Sequence, residues 1–197
     1  MKIGPLEAGQ VIEHPGWGLP ALRGRLVELS ARGASATLTA SVELVIEAQR
    51  EAEPVAWIMG PHGSFYPPDV AESGVDLAAL VIIRVPDLTG ATRSAERLLR
   101  SGAFGLIVID LGPAPAEIPI AHQGRLVTLA QAHDAAVVCI TEKSAESGSI
   151  GSLVSLRAEA LRLRSPGGFE LTLRVIKDKR RGPGFQRTVR ARGPAGL

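Results

Sequence analysis

The chain has 197 residues, of which 45% are hydrophobic, and its formal net charge is +2; this is enough for one sizeable core, so we expect a single domain. It has no run of eighteen apolar residues and no secretory signal pattern, so the sequence supports neither a membrane span nor a secretory signal, and we expect a cytoplasmic protein. One cysteine excludes a disulfide within the chain, and four histidines without ligand spacing predict no metal or other cofactor.

Short apolar segments alternate with helical patterns along residues 25–141, which predicts a mostly parallel α/β sheet. The predicted strands are rich in Val and Ile, as expected for central strands covered on both faces, and they span residues 25–30, 55–59, 80–85, 106–110 and 136–141. Amphipathic patterns predict helices at residues 37–52, 68–73, 92–101 and 123–133. Right-handed crossovers then place helices on both faces of the sheet.

The pattern changes after Thr141. Two alternating segments, residues 158–164 and 169–177, flank Ser165-Pro166-Gly167-Gly168 and predict an antiparallel hairpin at one edge of the sheet. Residues 186–191 suit a further short strand. We predict an N-terminal segment (1–17), a core domain (18–179) and a basic, partly flexible tail (180–197).

The tail begins with a cluster of positive charge. Residues 177–192 hold seven basic side chains against one acid, Asp178. Such a block suits contacts with phosphates or with an acidic protein surface, and it suits a solvated tail equally well. Phe185 has little predicted core around it, so we expect it to anchor a partner.

The loop after the first strand is the main functional clue. In P-loop enzymes this junction carries G-x-x-x-x-G-K-[ST], whose backbone N–H groups surround the phosphates while Lys neutralises them. Here the sequence reads Ala31-Arg32-Gly33-Ala34-Ser35-Ala36-Thr37-Leu38. The loop contains no lysine, and leucine cannot bind magnesium. We therefore predict no tight binding of ATP.

The chain resembles the ATPase core of the RecA recombinase over almost its whole length. The resemblance lies in segments that follow in the same order: Gly18-Leu19-Pro20, Gly24-Arg25-Leu26-Val27-Glu28-Leu29, Val45-Ile46-Glu47-Ala48-Gln49, Leu99-Arg100-Ser101-Gly102-Ala103, Ile107-Val108-Ile109-Asp110 and Val175-Ile176-Lys177-Asp178-Lys179. It implies a RecA-like core: a mostly parallel twisted sheet with helices on both faces and an antiparallel hairpin at one edge.

Several functional positions of that family are changed in this sequence. The phosphate-binding lysine of the family falls at Thr37, the glycine before it at Ala36 and the magnesium-binding hydroxyl at Leu38. The water-activating glutamate falls at Pro61, and the γ-phosphate-sensing glutamine falls at Glu142. Asp110 matches a carboxylate near the magnesium, although without these partners a cap on the following turn explains it better. The resemblance therefore implies a protein that is not an enzyme.

Two matched lysines survive, Lys177 and Lys179. In RecA-like filaments their equivalents reach toward the ATP phosphates of the neighbouring subunit, which implies a contact with a partner. Alternation along a strand would give outward-facing lysines just as well. The residues predicted to bind a partner are Lys177, Lys179, Arg180, Arg181, Phe185 and Arg187.

The eroded P-loop together with the basic segment 177–183 looks like the ImuA family, whose members act with ImuB in damage-induced translesion synthesis. This resemblance implies an adaptor in the SOS response that binds RecA, limits its filament and links to the ImuB and translesion polymerase complex. Any DNA binding by the tail should be weak and sensitive to salt. The alternative is a SulA-like inhibitor of cell division that binds FtsZ.

Overall fold

The structure is a computed structural model that describes residues 16–61, 63, 65–71, 73–113, 117–166 and 168–191. Its eight-stranded sheet has the order β3-β2-β4-β5-β1-β6-β7-β8. The strands are β1 Arg25–Ser30, β2 Val55–Met59, β3 Leu80–Arg84, β4 Leu106–Asp110, β5 Ala136–Thr141, β6 Leu156–Ser165, β7 Gly168–Asp178 and β8 Gln186–Ala191. Strands β1 to β6 run parallel, whereas β7 and β8 are antiparallel to their neighbours. The predicted fold class is confirmed.

The helices cover both faces of the sheet. They are α1 Leu19–Leu22, α2 Thr37–Arg50, α3 Pro67–Ala71, α4 Leu88–Ser101 and α5 Ile120–Ala132, with a short 3-10 turn at Leu77–Ala79. Side chains of α1 and α2 form one core with Val27 and Leu29 of β1, and α4 and α5 form a second core with Leu26. Because side chains alternate along β1, the strand contributes to both cores. In the described part of the chain no helix is long and apolar enough to cross a membrane.

Strand β3 corrects the expectation that all five apolar strands are central. It lies at one edge of the sheet, and its Val81 side chain is 42% exposed. An apolar sequence alone does not distinguish a central strand from an edge strand whose side chains are only partly covered. The sequence also gave no sign of α1, a helix of four residues.

The predicted tail contains the short strand that its sequence suggested. Residues 186–191 form β8, which pairs with β7 from Phe169 opposite Ala191 to Arg174 opposite Gln186. Phe185 is half-buried against the core that contains α2, so the expectation that it has little core to join is wrong. Residues 1–15 and 192–197 of the predicted terminal segments lie outside the described residues.

Candidate functional site

An open cleft of about 610 Å³ lies at the carboxyl ends of β1, β4 and β5. This edge of a parallel sheet is where α/β proteins bind their ligands, and the volume suits a small molecule. The cleft brings together most of the changed P-loop positions with the remnant carboxylate, since its lining includes Ala31, Gly33, Ala36, Thr37, Leu38 and Asp110. Arg32 is exposed and is not part of the lining.

The loop at residues 31–36 is hydrogen-bonded to β6. The Ala36 N–H donates to the carbonyl of Ala160 at 3.0 Å, and the Arg162 N–H donates to the carbonyl of Ala34 at 2.8 Å. Ser35 also forms an isolated antiparallel bridge with Leu161. A P-loop needs its N–H groups for phosphate oxygens, and here one of them is already used by β6.

The first N–H group of α2 also has a hydrogen-bond acceptor within the chain. The Thr37 N–H donates to Ser35 Oγ at 3.2 Å, and the two hydroxyls lie 2.9 Å apart. The first N–H groups of a helix are the donors that usually bind an anion. At Thr37 this donor has an internal acceptor, while Leu38 adds an apolar side chain to the cleft lining.

Asp110 forms the hydrogen bond expected of a cap. Its Oδ1 accepts from the Gly112 N–H at 3.1 Å, and the residue is only 5% exposed. A carboxylate bonded to the turn that follows β4 stabilises that turn without a metal ion. The structure therefore agrees with the capping role that we preferred from the sequence.

The cleft contains one cation among the described residues that line it. Arg162 of β6 places its guanidinium 5.0 Å from the centre of the Phe169 ring, a cation–π distance. No lysine lines the cleft in the described part of the chain, while Glu142 contributes a second carboxylate beside Asp110. A triphosphate would meet more negative than positive side-chain charge there.

Lys177 and Lys179 do not line the cleft. Lys177 pairs with Arg157, which lies beside Glu28 in the middle of β1, and the N–H of Lys179 donates to the carbonyl of Ser155, beside Leu26 and nearer the amino ends of the parallel strands. Lys177 Nζ lies 3.3 Å from Ser149 Oγ, and Lys179 Nζ donates to the carbonyl of Ser152 at 2.7 Å. The pKa of Lys177 lies below its ordinary value, mainly because the side chain is partly buried and also because the Lys179 ammonium is nearby.

Four cations form one surface, which we call the basic end: Lys177, Lys179, Arg180 and Arg181. None of the four forms an ion pair with another described residue. The backbone N–H groups of Arg180 and Arg181 donate to Asp178 Oδ1 at 2.8 and 3.3 Å. Asp178 itself is paired with Arg25, so the only acid in this segment adds no free negative charge.

The remaining predicted residues, Phe185 and Arg187, do not belong to the basic end. Phe185 packs on the core, and Arg187 forms an ion pair with Glu43 of α2. Both contacts attach β8 and the segment before it to the rest of the domain. The structure thus divides the predicted partner-binding set by ion pairing and packing. The basic end is not ion-paired with described residues, although Lys177 is half-buried and Arg180 donates to the carbonyls of Arg23 and Gly24.

Sequence reasoning missed a buried charge cluster around Glu28. This carboxylate is fully buried and accepts from Thr141 Oγ1 and from the Ile150 N–H, both at 2.9 Å. Lys143 Nζ lies 3.3 Å from it and Arg157 Nε 3.7 Å. The available signal was a charged residue in the middle of a strand predicted to be covered on both faces, because a buried charge needs a partner.

Comparisons with known proteins agree with this architecture over part of the chain. No family model matches it. The chain is 39% identical over 89 residues to Protein RecA of Nocardioides sp., covering 45% of this chain and 25% of that protein. For Protein RecA of Chlorobium chlorochromatii the values are 34% over 120 residues, 56% and 34%. For that of Picosynechococcus sp. they are 31% over 112 residues, 56% and 31%.

The chain therefore spans about a quarter to a third of the length of these curated relatives. Partial similarity to RecA proteins, together with the eight-stranded mixed sheet, supports a RecA-like α/β core.

Proposed function

We propose that this chain is a RecA-like adaptor in the DNA damage response that binds no nucleotide and catalyses no reaction. It binds RecA, limits the growth of its filament and connects RecA to ImuB and the translesion polymerases. The main support is the loop at residues 31–36, whose Ala36 N–H is bonded to β6 and whose sequence lacks a lysine. The water-activating position is also occupied by Pro61, which has no carboxylate.

Calorimetric titration with Mg-ATP tests the first part of the proposal. We expect no saturable heat, because the cleft offers more carboxylates than cations to the phosphates. Titration of Mg-ATP into purified RecA under the same conditions serves as the positive control. Micromolar affinity for Mg-ATP would contradict a nucleotide-free adaptor.

The proposed docking surface is the basic end. Its four cations lack acidic partners among the described residues, and none of the four lines the cleft. A subunit with one competent face and one defective face can join a head-to-tail filament but cannot extend it. The proposal therefore predicts that small amounts of this protein stop the growth of RecA filaments.

A paired substitution tests this surface. K177A/K179A should weaken the binding of RecA in a pull-down. It should also relieve the inhibition of filament growth, which is measured by light scattering from RecA on single-stranded DNA. The matched control R50A/R164A removes two exposed positive charges from other parts of the chain and should leave both readouts unchanged. Equal RecA binding by K177A/K179A and the unmodified protein would exclude the basic end as the interface.

The link to the polymerases needs a separate measurement. Co-purification from cells with damaged DNA should recover ImuB together with RecA. The SulA-like alternative makes a different prediction, which is that the protein reduces the sedimentation of FtsZ with GTP. An effect on FtsZ without any binding to RecA would favour that alternative.

A further inference from the structure

The outer face of α4 carries a row of arginines that the proposed function does not use. Arg93, Arg97 and Arg100 are all exposed, and none of them forms an ion pair with another described residue. Their spacing of four and three residues places them on one side of the helix. At a rise of about 1.5 Å per residue the row is roughly 10 Å long.

The one acid of this helix does not neutralise the row. Glu96 precedes Arg100 by four residues, a spacing and orientation that normally favour an ion pair. Instead its Oε1 lies 2.7 Å from His122 Nδ1 and 3.0 Å from Arg125 Nε, both on α5. Burial alone would raise the pKa of Glu96, but the hydrogen bonds from His122 and Arg125 hold this pKa below its ordinary value.

The helix is capped at both ends and packed against the sheet, and it sets the spacing of this row. Asp87 caps its first turn by accepting from the Gly90 N–H at 2.7 Å, and Gly102 ends it in the left-handed region at φ 68°. The inner side of α4 is buried through Ala91, Ala95 and Leu99. The three arginines therefore project from a framework that does not depend on them for its packing.

The chemistry of this face distinguishes between two kinds of anionic partner. Protein interfaces depend on apolar or aromatic anchors, and no exposed large hydrophobic residue lies on α4 in the described part of the chain. A phosphate backbone needs no such anchor, because guanidinium groups bind phosphate oxygens through paired N–H donors.

We infer that Arg93, Arg97 and Arg100 form a contact site for the phosphate backbone of nucleic acid, without selection for base sequence. The site lies on the side of the sheet opposite α2, and it shares no residue with the basic end. It does not depend on the proposed binding to RecA.

The test measures the anisotropy of a labelled 30-base DNA, single-stranded and duplex, from 50 to 200 mM salt. R93Q/R97Q/R100Q should bind at least tenfold more weakly at the lowest salt. The slope of log K against log salt should fall in magnitude by about 2 to 3, since each lost phosphate contact removes about 0.7 to 0.9. Glutamine keeps the helix propensity of arginine, so circular dichroism should be unchanged.

The matched variant R32Q/R50Q/R164Q removes the same charge from three exposed arginines elsewhere, and it should keep most of the affinity and slope. Unchanged binding by R93Q/R97Q/R100Q, or an equal loss in the matched variant, would overturn the inference. Poly-glutamate that competes as well as DNA at equal charge would also overturn it, because the partner would then be an acidic protein. A pull-down of RecA with R93Q/R97Q/R100Q should be unaffected, which separates this result from the test of the basic end.

Discussion

The guanidinium of Arg25 lies 2.5 Å from the carboxylate of Asp178, and both side chains are almost completely buried. The pair joins the first residue of β1 to the last residue of β7 across 153 positions of sequence. Arg25 also donates to the carbonyl of Ser155 at 2.9 Å. Because Asp178 in turn accepts from the backbone of Arg180, this one pair orients the start of the basic end.

Removing the charge of Asp178 should destabilise the fold strongly. In Asp178→Asn, Arg25 remains buried without its counter-ion, and breaking a buried pair in this way costs about 3–5 kcal/mol. Urea unfolding followed by circular dichroism measures the change in the free energy of unfolding. The control Arg164→Gln alters an exposed charge and should change it by less than about 0.5 kcal/mol. A loss below about 1 kcal/mol in Asp178→Asn would mean that water reaches Arg25.

The same pair predicts how stability depends on pH. Burial alone would raise the pKa of Asp178, but the hydrogen bond from Arg25 and those from the backbone of residues 180 and 181 hold it below its ordinary value. A carboxyl whose pKa is lower in the folded state stabilises the fold above its unfolded pKa, which is about 3.9. That contribution is lost as the pH falls through the folded pKa.

Thermal unfolding between pH 2.5 and pH 7 measures this dependence. The unmodified protein should lose stability below about pH 4, where the unfolded carboxyl takes up a proton before the folded one does. Asp178→Asn should show a shallower loss over the same range, because it lacks the titrating group. Identical pH profiles for the two proteins would assign the acid sensitivity to other carboxylates.

Phe185 allows folding and binding roles to be separated. It is half-buried on the core, and a Cβ added at Gly16 would overlap its ring, so the N-terminal end of the described chain packs closely against it. Phe185→Ala should cost about 1–2 kcal/mol, less than the 3–5 typical of a fully buried phenylalanine. Tyr66→Ala, at a side chain that is 60% exposed, is the matched control and should change stability little.

The measurement for Phe185→Ala is urea unfolding together with the RecA pull-down. We expect lower stability and undiminished RecA binding at a temperature where the variant is folded. The reverse result, with full stability and lost binding, would restore the partner-anchor role that the sequence suggested.

The central strands were predictable because each is a run of consecutive apolar residues. Strands β2, β4 and β5 begin and end at the predicted residues, since each is a continuous apolar run between polar segments. The helix α4 was predicted to begin at residue 92 but begins at Leu88, because Asp87 caps a turn that contains Gly90. A local cap is easily overlooked when the apolar pattern starts later.

The rest depended on contacts between distant residues. A strand at residues 186–191 was suggested by the sequence, but the place of β8 at the edge of the sheet depends on its pairing with β7. The cleft was predictable from the P-loop position, because α/β sheets bind their ligands at the carboxyl ends of their parallel strands. The hydrogen bond from Ala36 to Ala160 was not predictable, because no periodicity links a loop to a strand more than a hundred residues later.

The Glu28 cluster leads to a last prediction, which concerns the segment at residues 142–155. Glu28 binds this segment through Lys143 and the Ile150 N–H, and Arg157 donates to the carbonyls of Ser144 and Ser147. Because residues 142–155 are bonded at several points to buried charges, we expect slow hydrogen exchange at their amides.

Glu28→Gln keeps the shape of the side chain but leaves two cations next to a neutral amide. The expected loss is about 3–5 kcal/mol, as for other broken buried ion pairs. Hydrogen exchange at residues 143–155 should accelerate more than exchange in β2 and β4, because those strands do not contact Glu28. Thr141→Val removes a single hydroxyl from the same carboxylate and should cost only about 1–2 kcal/mol. Uniform acceleration across the whole sheet in Glu28→Gln would instead show that the cluster supports global stability without fixing this segment in particular.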